Sequence, residues 1–179
     1  MKEVTGGYAG RILSLDLSTG DVEDTPTESY APLFLGGRGI AAKIYWDEVP
    51  PDVSPFDPQN RLIFITGPVT ATTGFCGSRW QVCGKSPLHD TFSYCNLGGN
   101  WGAQLKRAGY DGLVVSGQAE GPVYLWISNH GVEIRTADHL SGQGAIACRE
   151  TLKEELGRTV NVVAIGPAGE NRVVFALSL

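Results

Sequence analysis

The stretch from Gly74 to Gly102 constrains this chain most. It sets glycines at 74, 77, 84, 98, 99 and 102 around Arg79, Lys85, Asn96 and Asn100. Glycine permits positive φ and lets a backbone approach a ligand closely, and the N–H groups exposed in such turns form concave anion sites. Arg79 and Lys85 carry the charge that matches phosphate, and Asn96 offers a carbonyl acceptor beside two amide donors. The pattern reads as a cradle for a large phosphorylated cofactor. A glycine-rich connection between strands, with no ligand at all, uses the same letters.

The 179 residues suffice for one domain with a sizeable core, and 42% hydrophobic with 18% charged residues is a globular composition. The 24 glycines favour turns and close backbone approaches over long helices. A formal net charge of −5 leaves no electrostatic footprint for a nucleic-acid partner. No apolar run approaches the 18 or so residues that would read as a membrane span. The opening Met1–Gly7 has no apolar core of a secretory signal, so a cytoplasmic location is expected.

Cysteines stand at 76, 83, 95 and 148, never as Cys-x-x-Cys, and His89, His130 and His139 do not join them at zinc-like intervals. Cys83 and Cys95 lie in apolar, strand-like runs and are expected as buried free thiols. Cys76 sits in the glycine loop beside Arg79, where a nearby positive charge favours the thiolate. No Ser/His/Asp triad, Cys/His pair or carboxylate dyad stands out, and no catalytic residue is assigned to this chain.

The chain states one plan twice. Arg11–Leu17, the turn Ser18–Asp21 and Val22–Thr25 predict a hairpin, and so do Val123–Ile127, Ser128–Gly131 and Val132–Thr136. Each hairpin leads to a glycine-rich helix start, Leu35–Gly39 in the first case and Leu140–Gly144 in the second, 105 residues later. Helices follow at Ile40–Trp46 and Ala145–Leu156. Apolar strands at Leu62–Thr66 and Val160–Ile165 then run into Gly67-Pro68 and Gly166-Pro167. Four features in one order argue for duplication, with pseudo-repeats at about 8–70 and 111–176 inside one domain, 1–179. The fold class that follows is α+β: mostly antiparallel sheets with short helices, in two intertwined pseudo-repeats. A Rossmann reading fails, because Gly36-Gly37-Arg38-Gly39 follows a polar, proline-containing stretch and not a strand. A P-loop fails too, since Gly84-Lys85-Ser86 lacks the upstream glycine and meets Pro87 at once.

Other residues have two readings each. Lys85 is either a phosphate counter-charge or a strand-end lysine; Arg38 either reaches a pocket or holds the connection before its helix, and the second is favoured. Trp80 and Trp101 are expected to pack in the core and not to stack on a ligand ring. Trp101–Arg107 reads as a helix, with Tyr110-Asp111 turning the chain out of it.

Five segments in order carry a resemblance to a known family: Leu35-Gly36-Gly37-Arg38-Gly39, Thr66–Thr70, Gly84–Leu88, Ala108–Asp111 and Ile165–Asn171. Together they resemble the N-terminal domain of the aldehyde:ferredoxin oxidoreductase family, and the likeness runs from Gly10 to Phe175. It implies a domain that forms a platform for tungsten held by two pterin-dithiolene cofactors, with the redox chemistry left to the metal. It implies that Arg79 contacts the pterin, with Gly77 and Ser78 beside it, Ser78 standing where the family usually has glycine. By the same resemblance Asn96, in Asn-x-Gly-Gly, helps hold a magnesium ion bridging the pterin phosphates, and Gly98 and Gly99 let the backbone near them. Tungsten or molybdenum fits the likeness equally. Family members continue well past this length, into domains that carry an iron–sulfur cluster. The chain is therefore expected to be a fragment or one piece of a split enzyme, inactive by itself. Its expected partners are the remaining catalytic domains or subunits and ferredoxin or an electron-transfer subunit. Three functions stay open: aldehyde oxidation, reduction of a benzoyl thioester by a related complex, and a cofactor-free structural module that keeps the platform.

Overall fold

Strand β1 (Arg11–Asp16) has apolar side chains toward both faces, Ile12 to one and Leu13 and Leu15 to the other, all about 1% exposed. Only an interior strand buries both faces. Its hairpin partner β2 (Val22–Pro26) carries Glu23 and Asp24 and ends in proline, as an edge strand does. Between them Gly20 N donates to Asp16 O at 2.8 Å, and Asp16 Oδ1 accepts from Ser18 N at 2.7 Å. The chain continues as α1 (Ala31–Phe34), α2 (Arg38–Glu48), β3 (Leu62–Thr66), β4 (Trp80–Lys85), β5 (Phe92–Leu97), α3 (Trp101–Arg107) and β6 (Gly112–Ser116). A second hairpin, β7 (Val123–Ser128) and β8 (Gly131–Thr136), precedes α4 (Ala145–Leu156) and α5 (Pro167–Glu170). These elements come from a computed structural model that describes residues 6–75 and 77–176.

Six strands form one sheet in the order β2-β1-β6-β3-β4-β5, and β7 and β8 form another. Within the large sheet only β1 and β6 run parallel; the other four pairings are antiparallel. The expected α+β, mostly antiparallel class is therefore the observed one. Helix α2 lays Ile40, Ala41 and Ile44 on Ile12, Ile63, Ile65, Cys83 and Val114. Each fully buried isoleucine there contributes about 1.5–3 kcal/mol. On the opposite face Leu13, Leu15 and Leu113 meet Leu105 and Tyr110, and the second hairpin covers them with Leu125, Ile127, Val132 and Ile134.

Both aromatic residues flanking the glycine segment are core residues. Trp80 is 3% exposed, its ring centroid 4.6 Å from that of Trp101, and its Nε1 donates to Gly98 O at 2.9 Å. Helix α3 comes this close because Gly102 has no side chain: a Cβ there would lie 2.7 Å from Trp80 Cβ.

One expectation from the repeat needs correction. Val160–Ile165 forms no strand; Val162 and Ala164 pack on the cluster of Leu140, Cys148 and Leu152 instead. Its apolar pattern is satisfied by packing, and no strand among the described residues offers it a ladder. Strand β6, just after residue 111, lies between β1 and β3 at the centre of the first sheet, so segments on both sides of that position share one sheet. One cysteine is also corrected. Cys83 is buried as expected, but Cys95 is exposed. It lies on β5, the edge strand, opposite Val82 and outside the α2 layer.

Candidate cofactor groove

The ends of β3 and β4 and the start of α2 enclose a groove of about 530 Å³. Its walls are glycine-rich turns. Gly37 N donates to Thr66 O at 2.9 Å, which ties the beginning of α2 to the end of β3. The turn after β3 closes through Thr70, whose amide donates to Gly67 O at 3.1 Å. The Thr70 hydroxyl, buried, donates to Arg79 O at 2.9 Å and so fixes the backbone that carries the arginine. Beyond it Ala71 N bonds Gly77 O at 2.9 Å and brackets the loop between.

Arg79 and Gly77 line the groove together with Arg38 and Gln81. Asn96 stands opposite Gln81 in register, and Gln81 Nε2 donates to Asn96 Oδ1 at 2.6 Å. Gly98 belongs to the same corner: a Cβ on it would sit 3.6 Å from Arg79 Nη1. Gly99 follows at φ +77°, with open space where a side chain would go. The structure thus brings Arg79, Gly77, Asn96, Gly98 and Gly99 to one end of the sheet. Ser78 is exposed beside them. Cys76 lies outside the described residues.

Lys85 is not in this group. It closes the far end of β4, six residues from Arg79, or roughly 20 Å at strand rise. Its ammonium donates to Val53 O at 2.7 Å and pairs with Asp90 at 3.1 Å, with the side chain 8% exposed. The lysine holds a loop down; its charge is already used. The reading as a phosphate counter-charge is corrected on that ground.

The electrostatics of the groove are one-sided. Among the described residues no carboxylate lines it, and neither Arg79 nor Arg38 has a hydrogen-bond or ion-pair partner for its guanidinium. Arg38 instead lies 4.1 Å over the Tyr94 ring. Helix α2 opens onto the groove with no acid in its first turn and no side-chain cap. The positive end of the helix dipole is left without a negative neighbour there. Gln81 Oε1 is buried beside Gly37 with no donor.

A phosphorylated pterin fits these features. Gly67 lines the groove, its φ lies outside the left-handed region, and a Cβ added there meets nothing within 4 Å. Neither a left-handed φ nor packing calls for glycine at 67, and a ligand could approach the backbone closely there.

Behind this wall lies a network that motif reading did not single out. Asp111, 2% exposed, accepts from Ala9 N at 2.9 Å, Gly10 N at 2.8 Å and Thr27 Oγ1 at 2.7 Å. Lys106 Nζ sits 3.5 Å from Asp111 Oδ1 and donates to Gly67 O at 2.5 Å. Burial pushes the Lys106 ammonium below the usual lysine range, and Asp111 opposes the shift. The pair anchors the N-terminal segment and the Gly67 turn to the same post. Its signal was in the sequence: Gly102, Ala103, Leu105 and Lys106 share the buried stripe of α3.

Fold and groove together define an α+β domain whose glycine-walled groove carries two exposed guanidiniums, those of Arg38 and Arg79. Residues 12–178 match the family described as aldehyde ferredoxin oxidoreductase, N-terminal domain, and the chain belongs to that family of oxidoreductases. It is 44% identical over 172 residues to the tungsten-containing aldehyde ferredoxin oxidoreductase of Pyrococcus horikoshii, covering 95% of this chain and 28% of that protein. Against the WOR-like subunit of an aliphatic sulfonate oxidoreductase from Pyrococcus furiosus, identity is 34%, over 94% of this chain and 30% of the other. Among solved structures it resembles the BamBC active-site complex of benzoyl coenzyme A reductase with 1,5-dienoyl-CoA: TM-score 0.94, 42% identity, 98% of this chain and 27% of that one. The chain thus spans less than a third of these relatives, and it aligns with a domain of an enzyme. No helix among the described residues is long and apolar enough to cross a membrane.

Proposed function

We propose that this chain is the cofactor-binding N-terminal domain of a tungsten or molybdenum bis-pterin oxidoreductase that oxidises aldehydes to carboxylic acids, with ferredoxin as electron acceptor. The observation that carries the reading is the pair of guanidiniums on a glycine-walled groove where, among the described residues, no carboxylate lines the wall and neither arginine has a side-chain partner. When bound, the metallocofactor supplies the two-electron chemistry. This chain's residues bind and orient it. Arg79 offers a planar set of donors to phosphate or pterin oxygens, and Gly98 and Gly99 leave room for the phosphates. Asn96, steadied by Gln81, keeps a lone pair on Oδ1 and would help hold a magnesium ion beside those phosphates. Remaining domains or subunits complete the enclosure and carry the iron–sulfur cluster.

A second reading stands beside it, because identity to the benzoyl coenzyme A reductase chain is 42% and to the Pyrococcus horikoshii enzyme 44%. On that reading the intact protein reduces an aromatic thioester. The intact protein, purified with its metal, decides between them. Aldehyde-dependent reduction of ferredoxin supports the first reading. Turnover of a benzoyl thioester without aldehyde oxidation replaces it with the second, and absence of metal and pterin ends both.

A further inference from the structure

We propose that Arg38 is a second anion-holding residue of the groove, acting with Arg79 on a ligand that carries two phosphate groups; the inference rests on the cofactor reading above. Its position is electrostatically wrong for a structural residue. Arg38 is the first residue of the eleven-residue helix α2, where the exposed amides already make a positive pole. A cation at that end is disfavoured and an anion favoured, yet the first turn holds no acid. The arginine is not neutralised from elsewhere, since no ion pair or side-chain hydrogen bond reaches its guanidinium among the described residues. An external anion resolves the conflict.

The geometry suits the role. The Arg38 guanidinium carbon lies over the Tyr94 ring, 4.1 Å from the centroid. A cation–π contact holds the cation by its charge and uses no conventional hydrogen-bond acceptor, so the N–H donors stay available to a ligand. It also limits the rotamers the side chain loses on binding, which lowers the entropic cost of each new bond. Tyr94 and Asn96 are alternate residues of β5, so the ring that holds Arg38 and the amide expected at the magnesium ion share one face of the sheet. Arg79 enters the same groove from the start of β4. Two guanidiniums on one cavity, from different elements, match two phosphate groups better than one. Sequence alone leaves Arg38 either reaching a pocket or holding the connection before its helix, the second favoured; in the structure it lines the groove, and among the described residues its guanidinium makes no hydrogen bond to that connection.

The test uses the intact protein prepared without its metallocofactor and titrated with inorganic pyrophosphate in a calorimeter, at one ionic strength. Arg38 is exposed, so its variants should fold. Arg38→Ala should weaken binding about tenfold or more, the worth of roughly 1.4 kcal/mol for a charge-assisted bond. Arg38→Lys, which keeps the charge and loses the planar donor set, should weaken it by less. If Arg38→Ala binds as wild type while Arg79→Ala is weakened, the groove stands and the proposal for Arg38 falls. If neither substitution changes binding, the reading of the groove itself falls, and this inference with it.

Discussion

Replacing Asp111 by alanine should cost this fold about 3–5 kcal/mol, the penalty for removing one partner of a buried ion pair. Four donors converge on that carboxylate: the amides of Ala9 and Gly10, the Thr27 hydroxyl and the Lys106 ammonium. The substitution leaves all of them in a site that is 2% exposed, with only the Gly67 carbonyl still facing the lysine. Lys106→Met is the milder change. Asp111 keeps its three other donors, so the loss should be about 1–3 kcal/mol, that of one buried charged hydrogen-bond system. The double substitution should cost less than the sum, because removing both charges leaves neither stranded. Urea unfolding followed by tryptophan fluorescence reads these differences through Trp80 and Trp101, which pack on the face of the sheet that α3 covers. A larger loss for Lys106→Met than for Asp111→Ala would refute the reasoning. So would strict additivity of the pair.

Three further expectations follow from the same geometry. Gly102→Ala should destabilise by about 1–3 kcal/mol, since its methyl would meet the Trp80 side chain at 2.7 Å; a rise in melting temperature would contradict the packing. Burial pushes the Cys83 thiol up to about 12, with Cys95 adding and Arg38 opposing. Its folded value lies above the ordinary 9.0 of the unfolded chain, so its contribution is complete below that pH and is lost as pH rises toward 12. Native protein at pH 8.5 should therefore be alkylated by iodoacetamide at the exposed Cys95 and not at Cys83, as peptide mass analysis would check. Finally, Lys85→Met should lower stability by about 1–2 kcal/mol through its lost contacts with Val53 and Asp90. Thermal melts and metal analysis of one preparation should show the stability loss with cofactor content preserved.

Much of this molecule was legible because local rules decide it. The hairpin around Ser18–Asp21, helix α3 at Trp101–Arg107 and helix α4 at Ala145–Leu156 follow from alternation, turn chemistry and helical spacing, and they stand where those patterns put them. Arg79, Asn96 and Gly98 were grouped by the glycine-rich pattern together with the family resemblance, and the pairing of β4 with β5 brings them near one another. What failed depends on partners far away in the chain. Val160–Ile165 has a strand's pattern but no ladder among the described residues, and no window of sequence reveals that. Lys85 carries the right charge next to the right glycine, yet it closes the far end of β4 from Arg79, where Val53 and Asp90 already hold it. Asp111 looked like a turn residue because its four donors come from positions 9, 10, 27 and 106. Only the closed fold brings them together.

The central claim is that the corner around Arg79 holds a metallopterin, and its content in the purified intact protein tests that most directly. Tungsten, molybdenum and pterin should be measured per polypeptide for wild type, Arg79→Ala and Lys85→Ala made in the same cells. The account predicts bound metal and pterin in wild type, a marked loss in Arg79→Ala and little loss in folded Lys85→Ala, because a planar multidentate contact is harder to replace than a point charge committed elsewhere. Equal content in all three, or a larger loss in Lys85→Ala, would contradict it.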